Sequence, residues 1–343
     1  MPASEPSWWY GRGATWHSVL LSPIAALYGT IARRRILNAT PYRSALPVIC
    51  VGNFTAGGSG KTPLALLLAG LVAEEGREPW FLSRGYGGTL EGPLRVDPER
   101  HGANEVGDEP LLLARAFPTV VSRDRRKGAD KIAQLASNRA VIIMDDGLQN
   151  PALAKKLTIA VVDGGRGFGN GRVIPAGPLR APLDVQAKLA NLIVVMRTQA
   201  AGEVSVPETI RLLTDAPIVY AETQPDDKAA AQFRGRQVMA FAGIANPDRF
   251  FATLTALGAT VVARRVFRDH HPFSEDDARG LLDDAQNLGA RLVTTEKDRA
   301  RLSGQTGARA ILRERSEVLA IRTAIESDGL EILRSHIRSA IAR

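Results

Sequence analysis

The sequence predicts an α/β protein: a mostly parallel β-sheet with helices on both faces, together with a second, smaller α/β domain. Short apolar runs alternate with helical patterns along the chain, and this order is typical of parallel strands joined by helices. Glycine-rich turns follow the first two apolar runs, at the strand ends where such sheets bind ligands. The length of 343 residues favours two domains.

The individual elements follow from these patterns. Apolar runs predict strands at 48–51, 79–83, 119–122, 141–144, 157–162, 192–196, 218–221, 238–242, 260–266, 292–294 and 318–321. Helical patterns lie at 64–71, in the residues before Leu113, and at 247–257 and 275–288. A polar stretch at 224–237 marks the boundary between the domains.

Composition narrows the class of protein. A hydrophobic content of 45% with 23% charged residues is that of an ordinary folded protein. The single cysteine, Cys50, excludes a disulfide framework and fits a reducing compartment. The net charge of +8 favours an anionic partner. The sequence contains no zinc-finger or aromatic RNA-binding signature, so no nucleic-acid partner is predicted.

The most informative segment runs from Val48 to Pro63, where an apolar strand ends in a glycine-rich turn and a helix begins. In such a loop, backbone N–H groups close around an oxyanion at the positive end of the helix. Lys61 would reach the β- and γ-phosphates of a nucleotide, and the Thr62 hydroxyl would bind Mg²⁺. The alternative is a turn that binds nothing, since Thr55 stands where the strict pattern has glycine. The predicted phosphate loop consists of Thr55, Ala56, Gly57, Gly58, Ser59, Gly60, Lys61 and Thr62.

Two carboxylate pairs are candidates for metal binding and proton transfer. Asp145 and Asp146 follow a buried strand, and a carboxylate there would hold Mg²⁺ or its waters. The alternative for this pair is a polar turn. Of Asp108 and Glu109, one would accept a proton from an attacking hydroxyl while the other supports the metal. The alternative here is a helix N-cap before Pro110.

Three further segments are candidates for function. His270 follows Asp269 in a turn, and a histidine can share a proton with a carboxylate and tune it as a base. An ordinary surface pair with His271 is the alternative. The basic run at 123–127 would neutralise phosphate or form a solvated turn. The loop at 164–180 is rich in glycine and proline, and loops of this length are usually functional or disordered.

The N-terminus combines tryptophans, a helical apolar pattern and arginines. Trp8, Trp9 and Trp16 precede apolar residues at helical spacing, and 33–35 are arginines. The apolar part is too short to span a bilayer. The pattern predicts a helix that lies in the headgroup region of an anionic membrane. A helix packed on the domain, with its aromatics in the core, is the alternative.

Taken in order, these segments resemble tetraacyldisaccharide 4'-kinase, the lipid A 4'-kinase of Gram-negative bacteria. The resemblance covers nearly the whole chain. It rests on the motifs GNFTAGGSGKTP (52–63), SRGYGG (83–88), VGDEP (106–110), MDDGLQN (144–150), GNGRVIPAGPLR (169–180), FAGIANPDRFF (241–251), DHHPF (269–273) and TEKDRARL (295–302). The family shares the threonine in the phosphate loop.

The resemblance implies ATP-dependent phosphorylation of the 4'-hydroxyl of tetraacyldisaccharide 1-phosphate, the step that forms lipid IV-A. The implied cofactors are ATP and Mg²⁺, and the implied partners are the acylated glucosamine disaccharide 1-phosphate and an anionic membrane surface. No protein partner is predicted. The implied location is the cytoplasmic face of the bacterial inner membrane, with a peripheral or monotopic attachment.

The resemblance also implies a domain plan and site residues. Residues 1–45 would form the membrane-surface segment, 46–225 the P-loop kinase domain, and 226–343 a smaller α/β domain that closes the active-site cleft. The family's catalytic aspartate maps onto Asp108, and its partner histidine maps onto His270. The predicted catalytic residues are therefore Asp108, His270 and Lys61, and the predicted metal ligands are Thr62, Asp145, Asp146 and Glu109.

The chain departs from the family pattern at Leu148, Asn150 and Ala181, and we assign no role to these positions. Two other classes of function stay open at this point. One is a soluble P-loop ligase or GTPase, which would act on a water-soluble substrate without a need for the N-terminal tryptophans. The other is a membrane-bound nucleotide switch, which would bind ATP without transferring phosphate to a lipid.

Overall fold

The chain folds into two compact units, each built from separated stretches of sequence. The structure is a computed structural model and describes residues 5–11, 13, 15–58, 60–197 and 206–342. The first unit comprises Met1–Arg84, Asp124–Thr223 and Thr323–Arg343, and the second comprises Gly85–Arg123 and Gln224–Arg322.

The strands of both units match the predicted apolar runs closely. They are β1 Val48–Asn53, β2 Glu78–Ser83, β3 Leu94–Arg95, β4 Thr119–Val121, β5 Ala140–Asp145, β6 Leu157–Asp163, β7 Leu192–Arg197, β8 Ile218–Pro225, β9 Gln237–Ala242, β10 Thr260–Val266, β11 Arg291–Thr295, β12 Ser316–Leu319 and β13 Ile321–Ile325. The single strand predicted at 318–321 is wrong, because β12 ends at Leu319 and β13 begins at Ile321.

The helices include several that the sequence patterns did not predict. They are α1 Trp16–Leu20, α2 Ser22–Leu37, α3 Lys61–Glu74, α4 Ala103–Val106, α5 Asp108–Ala116, α6 Arg125–Leu135, α7 Leu183–Ala187, α8 Val206–Arg211, α9 Ala229–Phe233, α10 Pro247–Ala256, α11 Glu275–Asn287, α12 Glu296–Arg301, α13 Gly307–Arg315 and α14 Ser327–Ile341. The basic run at 123–127 is not a solvated turn. It enters α6, whose first turn is capped by the Asp124 side chain.

The first unit contains a parallel sheet that carries the phosphate loop. Strands β8, β7, β6, β1, β5 and β2 lie in that order, and each is parallel to its neighbours. Strands β1 and β5 are buried along their whole length, as expected for a parallel sheet covered on both faces. In their register Val51 lies opposite Asp145. The carboxyl ends of β1 and β5 therefore meet at one edge, and the predicted α/β class is confirmed.

The second unit is organised around a smaller parallel sheet of four strands in the order β10, β9, β11, β12. Side chains of β9 alternate between two cores, since successive residues of a strand point to opposite faces. Val238 and Ala240 pack with Phe251 on one face. Met239 and Phe241 pack on the other face.

The two units depart from the predicted domain plan in two stretches, 85–123 and 323–343, although the chain changes unit after Thr223, close to the predicted boundary at 225. Residues 85–123 belong to the second unit because Val96, Leu111 and Val121 form one buried cluster with Ala300 of α12. At the C-terminus the chain returns to the first unit, where α14 packs against α3 and β6. The contacts that assign these two stretches to their units join residues far apart in sequence. No local change of composition therefore marks where each stretch begins or ends.

Candidate active site

The phosphate loop lies between β1 and α3 in the first unit. Gly60 adopts a left-handed conformation (φ +80°) and α3 begins at the next residue, Lys61. A side chain would be strained at that φ, so glycine allows the chain to enter the helix directly from the loop. The first-turn N–H groups of a helix have no intrahelical acceptor and suit an anion. Ser59 lies outside the described residues.

The Lys61 ammonium group is held at the loop by two oxygen atoms. Its Nζ lies 3.2 Å from the Asn53 side-chain oxygen and 3.7 Å from a carboxylate oxygen of Asp146. The Asn53 amide in turn donates to the Gly57 carbonyl at 3.1 Å. Lys61 is buried, with 8% of its surface exposed. These contacts hold the ammonium group beside the loop, and contact of Lys61 with nucleotide phosphates stays a prediction.

The loop at 164–180 packs along the start of the phosphate loop. The Ala56 N–H donates to the Pro178 carbonyl at 2.8 Å, so this amide is already engaged. The Arg180 side chain donates through Nε to the Thr55 carbonyl at 3.1 Å and through Nη1 to both Asp146 oxygens at 2.8 Å. Sequence reasoning assigned Arg180 no role, although it ends one of the motifs.

The acidic pair reaches the phosphate loop because β5 neighbours β1. Asp145 is the last residue of β5 and is buried, and Asp146 adopts φ +52°. Burial disfavours the charge of Asp146, but Lys61 and Arg180 outweigh it and hold the pKa of that carboxyl well below its usual range. Asp146 is therefore an anion between two cations.

The oxygen atoms at this end of the sheet are of the kinds that bind Mg²⁺. Thr62, Asp145 and Asp146 offer a hydroxyl and two carboxylates, and Mg²⁺ is usually bound by one or two carboxylates together with waters and substrate phosphates. Within the described residues, no three or more His, Cys, Asp or Glu side chains gather as a metal cluster.

Another cation near the acidic pair comes from the basic run at 123–127, for which neutralisation of phosphate was one of the two predicted roles. Arg125, the first residue of α6, is buried. Burial lowers the pKa of its guanidinium, and the carboxylate of Asp145 acts against that lowering. A buried arginine close to Asp145 adds positive charge where nucleotide phosphates would bind.

An acidic side chain from the N-terminus lies against the phosphate loop. Glu5 Oε2 accepts hydrogen bonds from the Tyr10 hydroxyl and from Arg166 Nη1, both at 3.0 Å. Its other oxygen, Oε1, packs so close to Gly57 that a side-chain carbon at Gly57 would clash with it. This oxygen is buried and has no hydrogen-bond partner among the described residues. The sequence patterns gave no sign of this contact.

Asp108 lies at the N-terminus of α5 in the second unit. It is the first residue of α5, and the preceding Gly107 holds the cap position, so the N-cap alternative is wrong. Its Oδ1 accepts from the Glu109 N–H at 2.9 Å. Its Oδ2 lies 2.8 Å from Arg301 Nε and 3.1 Å from His270 Nδ1. Burial disfavours the charge of Asp108, but His270 and Arg301 hold the pKa of the carboxyl well below its usual range.

The two adjacent histidines have different partners. His270 adopts φ +57° and its ring contacts Asp108, and the hydrogen bond to Asp108 raises its pKa above the ordinary value. His271 Nε2 lies 2.9 Å from the Asp277 carboxylate, which also accepts bonds from Ser274 at the start of α11. The structure thus brings His270 to Asp108 and leaves His271 in a helix-capping network.

Glu109 lies in the second unit, whereas the other predicted metal ligands lie in the first. Its carboxylate forms an ion pair with Lys297 Nζ at 2.6 Å. A metal role for Glu109 stays a prediction. Lys297, Asp298 and Arg301 belong to the motif at 295–302, to which sequence reasoning assigned no role, and the structure places all three near Asp108 or its neighbour.

The N-terminal helices leave an apolar surface exposed. Helix α2 buries Ala25 and Gly29, and Arg33 pairs with Asp184 at 2.7 Å. The exposed apolar face consists of Trp16, Val19, Leu20, Ile24, Leu27, Tyr28 and Ile31, and Leu37 is exposed at the end of α2, away from this face. Trp9 differs from the prediction, because it is buried and its indole N–H donates to the Pro175 carbonyl. Among the described helices, none has the length and apolar character needed to cross a membrane.

Comparison with known proteins identifies the family of this chain. The model of the tetraacyldisaccharide-1-P 4'-kinase family (LpxK) matches residues 17–338. The chain belongs to this family. A tetraacyldisaccharide 4'-kinase of Rhodopseudomonas palustris is 51% identical over 303 residues, which cover 88% of this chain and 86% of that protein. One of Methylobacterium nodulans is 53% identical over 298 residues, 87% of each chain.

The fold agrees with a solved member of the family. LpxK from Aquifex aeolicus, crystallised in complex with ATP, superimposes with a TM-score of 0.74 at 26% identity, covering 95% of this chain and 99% of that one. The predicted family, the α/β fold and the function as a lipid A 4'-kinase are confirmed. The roles of individual residues were not tested by these comparisons and stay predictions.

Proposed function

We propose that the chain transfers the γ-phosphoryl group of ATP to the 4'-hydroxyl of tetraacyldisaccharide 1-phosphate, with Asp108 as the base. The observation that carries this assignment is the buried contact of Asp108 with both His270 and Arg301. Phosphoryl transfer depends mainly on positioning and charge stabilisation. The residues proposed to bind the nucleotide phosphates belong to the first unit, and the proposed proton acceptor belongs to the second.

The phosphate-binding set would act through charge. Lys61, Arg180 and Arg125 bring cations to the loop, and the first-turn amides of α3 add a partial positive charge. Thr62, Asp145 and Asp146 would hold Mg²⁺ when ATP is bound. The ion would neutralise charge that develops on the phosphate oxygens. Arg180, bonded to both Asp146 and the Thr55 carbonyl, keeps the acidic pair beside the loop.

The proton of the attacking hydroxyl would pass to Asp108. Because His270 and Arg301 keep its pKa low, Asp108 is ionised at neutral pH and ready to accept. An ionised aspartate is only a weak base, but the hydroxyl becomes strongly acidic as its bond to phosphorus forms. The transfer can therefore take place late, which fits the loose transition state of phosphoryl transfer.

The exposed apolar face of α1 and α2 supports attachment at an anionic membrane surface. Its leucines and isoleucines would enter the acyl-chain boundary, while Arg34 and Arg35 are exposed and can meet anionic headgroups. A substrate with four acyl chains resists extraction, since each buried CH₂ is worth about 0.8 kcal/mol. The enzyme therefore acts where its substrate lies. We place this surface on the cytoplasmic face of the inner membrane, where ATP is supplied.

The test is transfer of label from γ-labelled ATP to tetraacyldisaccharide 1-phosphate in detergent micelles. We expect labelled lipid with the wild type and a loss of about 10²- to 10⁴-fold with Asp108→Ala, the range for general-base removal. Asp276→Ala is the matched control, because that carboxylate is 92% exposed in the same unit. Wild type that binds ATP without labelling lipid would refute the reaction. Full activity of Asp108→Ala would refute the base.

A further inference from the structure

Arg301 is a buried cation with three acceptors. Only 6% of its side chain is exposed. Its Nε donates to Asp108 Oδ2 at 2.8 Å, and its Nη1 donates to Asp298 Oδ1 and to the Gly243 carbonyl, both at 2.6 Å. One rigid guanidinium therefore joins α5, α12 and the residue that follows β9.

Gly243 connects this guanidinium to the histidine. The Gly243 N–H donates to Asp298 Oδ1 at 3.1 Å, and the Gly243 carbonyl also accepts the backbone N–H of His270 at 3.1 Å. Asp298 is itself held by Thr295, whose hydroxyl donates to Oδ2 at 2.6 Å. The backbone of the turn that contains His270 is thus hydrogen-bonded to the same carbonyl that Arg301 binds.

The contacts of Asp108 leave one direction for a further proton. A carboxylate offers about four lone-pair positions. The Glu109 N–H takes one on Oδ1, and Arg301 and His270 take two on Oδ2. These donors hold the rotation of the carboxylate and leave the remaining lone pair on Oδ1.

A purely structural role explains Arg301 poorly. Buried ion pairs contribute little net stability compared with apolar side chains of similar volume. Arg301 also buries a second nitrogen, Nη2, which has no hydrogen-bond partner within the described residues, and an unsatisfied buried donor is unfavourable. A side chain selected only for stability would not keep this arrangement.

We propose that Arg301 is a positioning residue of the transfer reaction, one that orients the Asp108 carboxylate and the His270 turn together. The inference rests on the proposed role of Asp108 as base. Arg301 would not contact the substrate. It would act by fixing the rotation of the Asp108 carboxylate, and thereby the direction of the remaining lone pair on Oδ1.

The test is a double-mutant cycle on the phosphate-transfer rate. We expect Arg301→Gln to lower kcat about 10- to 100-fold, since a small misplacement of a reacting group costs up to about 10²-fold. KM for ATP should not change, because the phosphate loop belongs to the other unit. Arg301→Lys should recover part of the loss, since it restores the charge without the planar fork. In an Asp108→Asn background, Arg301→Gln should cause no further loss.

Arg309→Gln is the matched control, because Arg309 forms a half-buried ion pair with Glu275 at 2.9 Å in the same unit. A thermal-unfolding midpoint for each variant separates loss of fold from loss of positioning. If Arg301→Gln is unfolded, Arg301→Lys replaces it in the cycle. Equal losses with and without Asp108, or full activity of Arg301→Gln, would overturn the inference. Full activity of Asp108→Asn would instead overturn the proposed base, and with it the role of Arg301.

Discussion

At the residue scale, the side-chain carboxyl of Glu5 lies beside the phosphate loop, where a bound nucleotide would bring more negative charge. Glu5 Oε1 is buried against Gly57 and has no hydrogen-bond partner in the described part of the chain. A carboxylate and a phosphate group repel each other when they lie close together. Nucleotide phosphates and this carboxylate should therefore compete for the space beside Gly57, and binding of ATP should displace the Glu5 side chain.

We therefore expect Glu5→Gln to lower KM for ATP. The change should be about 2- to 5-fold, since a partly solvated charge pair is worth up to about 1 kcal/mol. The measurement is the initial rate against ATP concentration, with KM for the lipid acceptor determined in parallel. Glu326→Gln is the control, because Glu326 also pairs with an arginine, Arg197, in the same unit. A higher KM for ATP in Glu5→Gln would show that Glu5 assists nucleotide binding.

Sequence alone identified the residues of the site with strong local signals and missed those without them. Lys61 and Thr62 follow a glycine-rich turn, a pattern that has its own chemistry. Arg301 lies 193 residues from Asp108 in sequence, and no periodicity connects the two. The contacts of Arg301 depend on the packing of α12 against α5, which a sequence pattern cannot report.

At the element scale, strands were easier to predict than helices. The strands of the first unit are continuous apolar runs because both faces of the sheet are covered. Helix α6 has few apolar residues, and four arginine or lysine residues lie within it, so the apolar pattern predicted no helix there. Its cap, Asp124, was the local signal for a helix start. The polar stretch at 224–237 marked one change of unit, but the changes near residues 85, 123 and 322 left no signal in composition.

The N-terminal helices offer an element-scale prediction. Leu20 and Leu27 are 68% and 65% exposed on the apolar face. We expect Leu20→Asp with Leu27→Asp to weaken binding to vesicles that contain anionic lipid by at least about 10-fold, because each leucine buried in a bilayer contributes roughly 1.5 kcal/mol or more. Co-sedimentation with vesicles measures this. The thermal-unfolding midpoint should barely change, since both side chains are already exposed.

Leu212→Asp is the control for this experiment. Leu212 is 86% exposed and belongs to the same unit but not to the apolar face. Its substitution should leave vesicle binding unchanged. Equal binding by the wild type and the double variant would show that the face does not meet the membrane. Equal weakening by Leu212→Asp would mean that the added negative charge, rather than the apolar face, governs binding.

At the scale of the whole molecule, each unit keeps a carboxylate ionised by surrounding it with cations. Asp146 in the first unit lies between Lys61 and Arg180, and Asp108 in the second lies beside His270 and Arg301. Asp108 is buried and Asp146 is half-buried, which disfavours the charge of each, yet both have pKa values well below the usual range. Both units should therefore lose stability in acid, through the same residues that serve the reaction.

The sign of this pH dependence follows from linkage. A carboxyl with a depressed folded pKa stabilises the fold fully above its unfolded pKa of about 3.9, and this stability is lost as pH falls toward the folded value. His270 has a raised pKa, so its contribution is complete below about 6.5 and is lost as pH rises through the folded value. These groups together favour maximal stability between about pH 5 and 6.5. The fall in stability should be steeper on the acid side, because two carboxylates take up protons there, whereas only one imidazole loses a proton on the basic side.

We expect the thermal-unfolding midpoint of the wild type to fall between pH 5 and pH 3, and to fall less steeply in Asp108→Asn. Asparagine binds no proton, so the variant lacks one of the groups that take up protons on acid unfolding. Its midpoint at pH 6 should be lower than that of the wild type, because the buried Arg301 then loses one of its two carboxylate partners and keeps only Asp298. Asp276→Asn, at a carboxylate that is 92% exposed, should keep the wild-type slope. Identical slopes in all three proteins would mean that Asp108 is not held as an anion in the folded state, and the electrostatic account of the proposed base would then be wrong.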